Sequence, residues 1–480
     1  MTVAPVNENV LVNEKANKRI LYVLVLTLII TVMNGTVFNV ALPTIISDLG
    51  LSMLQGSWIG TAYLTIFAVG TLTYGKLTEK FKLSTLITFG LVTLCIGSII
   101  GLVTRNFTLL IVSRLIQAAG SSVMPTMGQL IPYRLFPAKK RGQALGLVAA
   151  GMALGGLLGA LVSGVITTFL GWRWLFVLPL IVLFVLPVFR NNLRGEALPL
   201  HPETRIDWFG GVLLLLAVAS LMLMFTLFNI WMVLVTALLI VAMIFWMRRS
   251  KQPFLQLSVF ANKQFSILLV NTVMFGILCF GIPFILPLML ADIQAADAAA
   301  ISLVIFPGTV IAALMARAGG RLIDKKGNAF MVKISVIPIL ILLLIMSVSC
   351  GWSMIFTALV MVFFCVAQVF LQTALNNSVS HTLSAKESGV GFGMFTMTTY
   401  ISGALANVLI GLLVNFFTLT PVQLSPVLIN SDAYAYSNAL LAMIVPAILI
   451  GLVFIVFFRK HKADEVVTEE IIDPELKEKY

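Results

Sequence analysis

The sequence predicts an all-α polytopic membrane protein: fourteen spans in two pseudo-symmetric six-helix bundles, with a helix pair inserted between them. Three observations predict it. Sixty per cent of the 480 residues are hydrophobic and only 10% are charged, where a soluble chain carries about 25% charged residues. A soluble surface so poor in charge would be one large apolar patch. Apolar runs of about 20 residues recur along the whole chain, each long enough to cross ~30 Å of hydrocarbon at a rise of 1.5 Å per residue. Finally, the short basic loop GKLTEKFK at 75–82 returns as GRLIDKKG at 320–327, as expected of a duplicated bundle.

Spans are read at 20–43, 56–76, 84–103, 108–133, 142–168, 172–189, 208–228, 230–247, 265–290, 299–320, 331–350, 353–378, 388–416 and 438–458. The seventh and eighth need a separate argument. From Trp208 to Met247 there is no charge, and ~60 Å of helix is twice one bilayer. With Arg205 before it and Arg248 and Arg249 after it, the run crosses and returns, turning at Phe228-Asn229-Ile230. The expected units are an N-tail (1–19), a first bundle (20–192), a linker (193–207), the inserted pair (208–248), a second bundle (265–458) and a C-tail (459–480). Basic residues are retained in cytoplasmic loops. With both tails cytoplasmic, only Arg105 and Arg173 of the 31 basic residues fall outside, while Arg114 and Arg317 lie within spans. One span more or fewer would destroy that asymmetry. Residues 1–19 precede an apolar stretch too long for a signal peptide, so no cleavage is expected.

Several function classes are excluded. The net charge of +12 does not point to nucleic acid, because the basic residues sit in short loops. Cys95, Cys279, Cys350 and Cys365 fall inside spans and form no disulfide framework. Gly70, Gly75 and Lys76 spell the front of a phosphate-binding loop, but Leu77 stands where Ser or Thr must hold Mg²⁺. No ATP motor is encoded. His201, His381 and His461 lie in loops or at span ends without metal-ligand spacing. No enzyme constellation, metal or cofactor is expected.

The two loops align residue by residue: Gly75, Lys76, Leu77, Glu79 and Lys80 face Gly320, Arg321, Leu322, Asp324 and Lys325. Topology alone would account for the lysines but not for the shared Gly-x-Leu-x-acid spacing. The loop resembles the G-x-L-a-D-r-x-G-r-k signature of the major facilitator superfamily. Glu79 replaces the usual aspartate and Lys82 the usual glycine, while Asp324 and Gly327 keep the usual types. Further likenesses follow in chain order. RLIQAAG (Arg114, Gln117, Gly120) is similar to the fourth-span R-x-x-Q-G-x-G of drug:proton antiporters. GWRWLF (171–176) resembles the start of their sixth span, and DWFGG (Asp207, Gly210) the opening of the extra pair in fourteen-span members. IFPGT (305–309) and ESGVG (387–391) are similar to fourteen-span exporters, the tetracycline:proton exporters above all. The resemblance implies a superfamily-type 6+2+6 fold and multidrug efflux across the plasma membrane. It also implies H⁺ as the coupling ion, with the two bundles rocking about a central cavity. The loop acids Glu79 and Asp324, with their neighbours Lys80 and Lys325, would then gate the cytoplasmic side.

Polar residues inside spans nominate the cavity. Arg114 costs at least about 2.5 kcal/mol in hydrocarbon, so it must face protein or a wet cavity. Gln117, Ser121, Pro125 and Gly128 continue its face at helical spacing, and Asn34 lies at about the same depth. The alternative is a structural arginine that bonds backbone carbonyls. Asn39, Tyr63, Asn271, Gln368, Gln372 and Tyr400 complete the candidate cavity set, although intramembrane amides also serve as glue between spans. Gly151, Gly155, Gly159 and Gly164 form a small-residue stripe that permits close helix approach. The resemblance assigns this stripe to a seal between the halves.

One departure matters. None of the nineteen acidic residues is mid-span, and the glutamate of the tetracycline exporters aligns with Gly35. A proton carrier needs a group whose pKa crosses the working range, and Arg114 cannot supply it. Either a rim carboxylate such as Asp48, Glu79 or Asp324 couples protons, or an electropositive cavity exports a neutral or anionic metabolite. The expected working form is a monomer in a lipid bilayer acting on a small molecule.

Overall fold

The computed structural model describes residues 14–136, 138–193, 206–227, 229–250, 252–255, 257–382, 388–420, 422–425 and 428–458. The C-tail, His201 in the linker, His461 and Glu387 lie outside the described residues.

Helices α1 (Glu14–Leu49), α2 (Met53–Leu77), α3 (Leu83–Leu102), α4 (Phe107–Ser121), α5 (Val123–Leu135) and α6 (Ala138–Phe169) open the chain. A 3₁₀ stretch (Trp172–Phe184) and α7 (Leu186–Asn192) follow, then α8 (Trp208–Leu227) and α9 (Ile230–Arg249). The remainder is α10 (Lys263–Gln294), α11 (Ala298–Val348), α12 (Met354–Thr382), α13 (Ser388–Leu419), α14 (Tyr434–Ala442) and α15 (Ile444–Phe458). Among the described residues, thirteen stretches are long and apolar enough to cross a membrane. The 25-residue α2 is a further uninterrupted helix. Its serines, threonines and glycines lower its hydropathy, and most of them are buried against protein.

The structure modifies the expected spans where backbone chemistry intervenes. The sixth span begins as the 3₁₀ stretch, entered through Gly171 at φ 91°, with Pro179 inside it unable to donate an i→i−4 bond. The spans expected at 299–320 and 331–350 run together as α11, broken at Gly327, whose φ is 77°. That angle favours glycine. In the first copy of the loop, Lys82 holds φ −64° and ψ 143° as the N-cap of α3, an ordinary extended conformation. Lys can therefore stand there, and Gly cannot be exchanged at 327 without strain. The charge-free run turns where expected: α8 ends at Leu227, and the Asn229 side chain caps α9 by accepting from Trp231 N at 3.0 Å.

In the first half of the chain α1 packs on α6, and α4 on α2 and α3; in the second half α10 packs on α13, and α11 on α12. The two halves meet chiefly along two seams, α2 against α13 and α6 against α11, with α1 also touching α10, and α8 rests on both α2 and α13. One end of the molecule is tied by Asn17 Nδ2 to Leu135 O (3.0 Å), Arg134 Nη2 to Thr78 O (3.2 Å) and Asn262 Nδ2 to Thr382 O (2.8 Å). This is the basic end. At the far end Asp48 accepts from Arg173 Nη1 at 2.9 Å and from Trp172 Nε1 at 3.0 Å.

The seams are shut at the far end. Ala299 N donates to Thr168 Oγ1 at 3.1 Å, and Thr61 Oγ1 donates to Ala404 O at 3.3 Å. Toward the basic end the α6–α11 seam parts. Leu314, Met315, Ala316, Arg317 and Ala318 are all exposed, as are Ala149, Ala150, Ala153 and Leu154 opposite. Five consecutive exposed residues exceed one helical turn, so little covers this part of α11, while α2 and α13 stay in contact toward the same end, Leu72 Cδ1 lying 3.5 Å from a Cβ built on Gly393. The α6–α11 seam is open toward the basic end.

Candidate functional site

Arg114 lies on α4 a little over two turns before its junction with α5 at Ser122. Its side chain is 1% exposed. Nε donates to Ile59 O (3.4 Å), and Nη1 donates to Asn34 O (3.4 Å) and Gln117 Oε1 (3.0 Å). The guanidinium carbon lies 4.2 Å from the Phe38 ring centroid and 4.1 Å from that of Tyr63. Each stack on a desolvated ring contributes about 2 kcal/mol, so neutral groups offset the cost of burying the charge. Among the described residues no carboxylate pairs with it. The cluster therefore keeps a full positive charge, which ordinary conditions cannot titrate away.

A second layer fixes the first. Gln117 Nε2 donates to Ser98 Oγ at 2.8 Å, and the Tyr63 hydroxyl lies 2.8 Å from Ser121 Oγ. Gln117 must present its oxygen to Arg114 because its nitrogen is taken by Ser98. From Tyr63 a row of rings leads across the molecule: Tyr63 to Phe67 (5.6 Å), Phe67 to Tyr400 (4.7 Å, edge-on) and Tyr400 to Phe280 (5.8 Å). These are ordinary aromatic pairing distances. The row joins α2 of one half to α13 and α10 of the other.

Asn34 and Asn271 are buried, and neither amide has a hydrogen-bond partner on either atom among the described residues. Buried amides are nearly always bonded, and these two, enclosed by protein, keep unused hydrogen-bonding capacity. Gln368 is half-buried and Gln372 exposed. They sit about 180° and 140° around α12 from the exposed apolar face of Ile355, Leu359 and Phe363, at 100° per residue. That places them toward the interior opening rather than lipid. Asn39, half-buried, lies about 140° around α1 from Asn34 and does not join the cluster.

The nominated loop residues lie apart from this cluster. Glu79 and Lys80 are exposed at the basic end. A Cβ on Gly75 or Gly320 would meet open space, so neither glycine is forced by packing here. Lys325 is exposed, and the Asp324 side chain lies outside the described residues. The glycine stripe divides. Gly151, Gly155 and Gly159 lie against Val25, Ile29 and Thr36 of α1, inside the first bundle. Only Gly164 meets the other half, where an added Cβ would come 2.7 Å from Ala298 O. Of the four glycines expected at the contact between halves, only Gly164 lies there, because α6 turns the other three toward α1.

Sequence reasoning missed Phe38, Ser98 and Phe280. Phe38 follows Asn34 by one helical turn, and that spacing was the available signal. Ser98 and Phe280 come from other helices, and nothing local announces them.

A buried cation, two amides without a hydrogen-bond partner among the described residues and an aromatic row are thus carried by α1, α2, α4, α10 and α13. The sequence pattern of the Major Facilitator Superfamily matches residues 24–407, well over half of the chain. The chain belongs to that superfamily. It is a membrane transporter and not an enzyme. Among its relatives, the riboflavin transporter RibZ of Clostridioides difficile (strain 630) is 28% identical over 316 residues, covering 64% of this chain and 68% of that one. Multidrug resistance protein 3 of Bacillus subtilis (strain 168) is 24% identical over 349 residues, covering 70% and 67%. The crystal structure of a bacterial homologue of the human lysosomal transporter Spinster, inward-facing and unoccupied, superposes with a TM-score of 0.66 at 14% identity, over 92% of this chain and 97% of that one. The peptide transporter POT in complex with sulfate gives 0.65 at 17% identity, over 90% and 93%. These structures share the superfamily fold.

Proposed function

We propose that this facilitator is a secondary active transporter that exports flat, amphipathic aromatic compounds across the plasma membrane, favouring neutral or anionic over cationic ones. Both termini are cytoplasmic in this reading, and the architecture is the fourteen-span 6+2+6 type. The observation that carries the proposal is the uncompensated Arg114, stacked between Phe38 and Tyr63 at the head of the Tyr63–Phe67–Tyr400–Phe280 row. Such a row offers faces to a planar ring system, and Asn34 and Asn271 offer hydrogen bonds to its polar rim. A cation entering this site would meet a like charge without a counter-ion.

Transport follows from alternating access. The seam open at the basic end admits substrate from the cytoplasm, and parting of the Thr168–Ala299 and Thr61–Ala404 contacts releases it outside. Energy comes from proton antiport through the rim acids Glu79 and Asp324, since Asp48 is held by Arg173 and Trp172. Likeness to Multidrug resistance protein 3 favours a second reading, in which the same cavity handles drugs broadly. Everted vesicles tested with riboflavin (neutral), fluorescein (anionic) and ethidium (cationic) separate the two. Preferential movement of the first two, abolished when the pH gradient is collapsed, is expected. Movement of ethidium alone would overturn the charge preference, and insensitivity to the gradient would overturn the coupling.

A further inference from the structure

The duplicated loops are not equally occupied. In the first copy, Lys76 Nζ donates to Pro253 O at 2.5 Å and lies 5.1 Å from the centre of the Phe254 ring. The segment after the inserted pair thus supplies an oxygen and an apolar ring to that cation. In the second copy, Arg321 stands in the corresponding place, and no segment among the described residues hydrogen-bonds to it. Instead there is a groove of about 460 Å³ lined by Leu314, Met315, Arg317, Arg321, Lys325 and Phe370, among others.

Arg317, Arg321 and Lys325 are exposed, and none makes a hydrogen bond or ion pair with any described residue. Their spacing of four places them on one face of α11. Depth identifies what that face meets. Arg317 is nineteen residues beyond Ala298, which is about 29 Å of helix, close to the full ~30 Å of a hydrocarbon core. Arg321 and Lys325 follow at intervals of about 6 Å and enter the headgroup layer. Leu314, 75% exposed on the hydrocarbon side, and Phe370 of the neighbouring α12 form the apolar floor beneath the cations.

We propose that this groove holds one anionic phospholipid, its phosphodiester between Arg317, Arg321 and Lys325 and an acyl chain along Leu314 and Phe370. The phosphate takes the part that the Pro253 carbonyl takes at Lys76, and the acyl chain the part of the Phe254 ring. Basic pockets at the cytoplasmic surface recognise such headgroups by charge and hydrogen bonding. A free phosphate would satisfy the cations but leave the apolar floor uncovered. The lipid therefore fits the groove better.

The test is native mass spectrometry of the full chain, delipidated and titrated with phosphatidylglycerol or phosphatidylcholine. Wild-type protein should retain one phosphatidylglycerol against a large excess of phosphatidylcholine, and inorganic phosphate should not displace it. The double variant R317Q/R321Q should bind it about thirtyfold more weakly, the value of two interfacial cations. R248Q/R249Q, at the end of α9 and away from the groove, should bind normally. Equal retention of the two lipids, displacement by inorganic phosphate, or unchanged binding in R317Q/R321Q overturns the proposal. Photo-crosslinkable phosphatidylglycerol on wild-type protein gives a readout that needs no variant. Labelling of the peptides containing Leu314 or Phe370 is expected, and labelling confined to other helices refutes the site.

Discussion

Replacing Arg114 with Met separates a binding arginine from a structural one. Met fills much of the slot between Phe38 and Tyr63 without charge. Removing the cation relieves an insertion cost of about 2.5–3.5 kcal/mol. Against this stand the lost ring stacks and the orphaned Gln117 Oε1, the latter worth about 1–3 kcal/mol. The carbonyls of Asn34 and Ile59 lie within helices and lose little. The stacks and the orphaned oxygen total about 5–7 kcal/mol, of which sulfur–aromatic contacts of Met return about 0.6–3 kcal/mol, so the net change should be a loss of no more than about 4 kcal/mol. An anionic substrate, in contrast, loses a charge-assisted hydrogen bond worth about 1.5–3 kcal/mol, or about 12- to 150-fold in affinity. The assay is the three-dye vesicle panel together with a thermal-melt scan of purified protein. Loss of fluorescein export with riboflavin largely retained, in a protein that still melts in one cooperative transition, is the expected pattern. Arg114→Lys keeps the charge but not the planar fork, so it should restore fluorescein export in part. If R114M lowers export of both dyes equally and also loses its cooperative melt, Arg114 is a strut and the binding argument fails.

Other consequences can be measured directly. A Cβ on Gly35 would sit 3.5 Å from Tyr63 Cε1, so Gly35→Asp should fold and bring a carboxylate into the Arg114 cluster. Ethidium export should rise and fluorescein export fall at least tenfold, and an unchanged dye preference would refute it. Gly164→Val cannot approach Ala298 O and Ser302 as closely as glycine does. It should hold the far end apart, raising reactivity of a cysteine at Thr168 toward an impermeant maleimide; no increase would refute this. Asp207 accepts from Gly210 N (2.8 Å), Trp246 Nε1 (2.9 Å) and Phe254 N (3.0 Å). Asp207→Ala removes an N-cap and two tertiary bonds, so a loss of about 2–4 kcal/mol is expected in a denaturation midpoint. A shift below the error of the measurement would sink that account.

The parts of this molecule legible in its sequence are those set by the solvent. Lipid requires long apolar helices whose backbone groups are satisfied internally, so spans and their turn at Asn229 could be placed from hydropathy and charge alone. The loop duplication was legible because charge is scarce. Arg114 was legible for the same reason, since a charge in hydrocarbon demands an explanation. Its neighbours were not. Hydropathy does not distinguish a phenylalanine facing lipid from one stacked on a guanidinium, so Phe38 and Phe280 were indistinguishable from the other 31 of the 33 phenylalanines. The glycine stripe misled for a related reason. Four-residue spacing shows that one face of α6 is small, not which helix it meets, and three of the four glycines meet α1.

The D-x-x-G pair shows how far one motif can be taken once geometry is added. An added Cβ on Gly210 would come 2.8 Å from Asp207 Cγ, so glycine at 210 leaves room for the carboxylate to fold back and cap α8. The same carboxylate then reaches α9 through Trp246 and the following segment through Phe254 N. Lys76 grips the adjoining Pro253 carbonyl from the first bundle. Helices α8 and α9 are thereby fastened to the end of α2, the helix that forms one seam between the halves. A pair that served only as a lipid-facing spacer would not need two fastenings on one dipeptide. Motion of α2 during the transport cycle must carry this segment with it or break the Lys76 contact. Lys76→Met should therefore loosen the inserted pair without touching the Arg114 cluster. Faster hydrogen exchange confined to the 252–255 segment and the start of α8, with the dye preference retained, is the expected result; slowed or unchanged exchange there would show that the fastening carries no load.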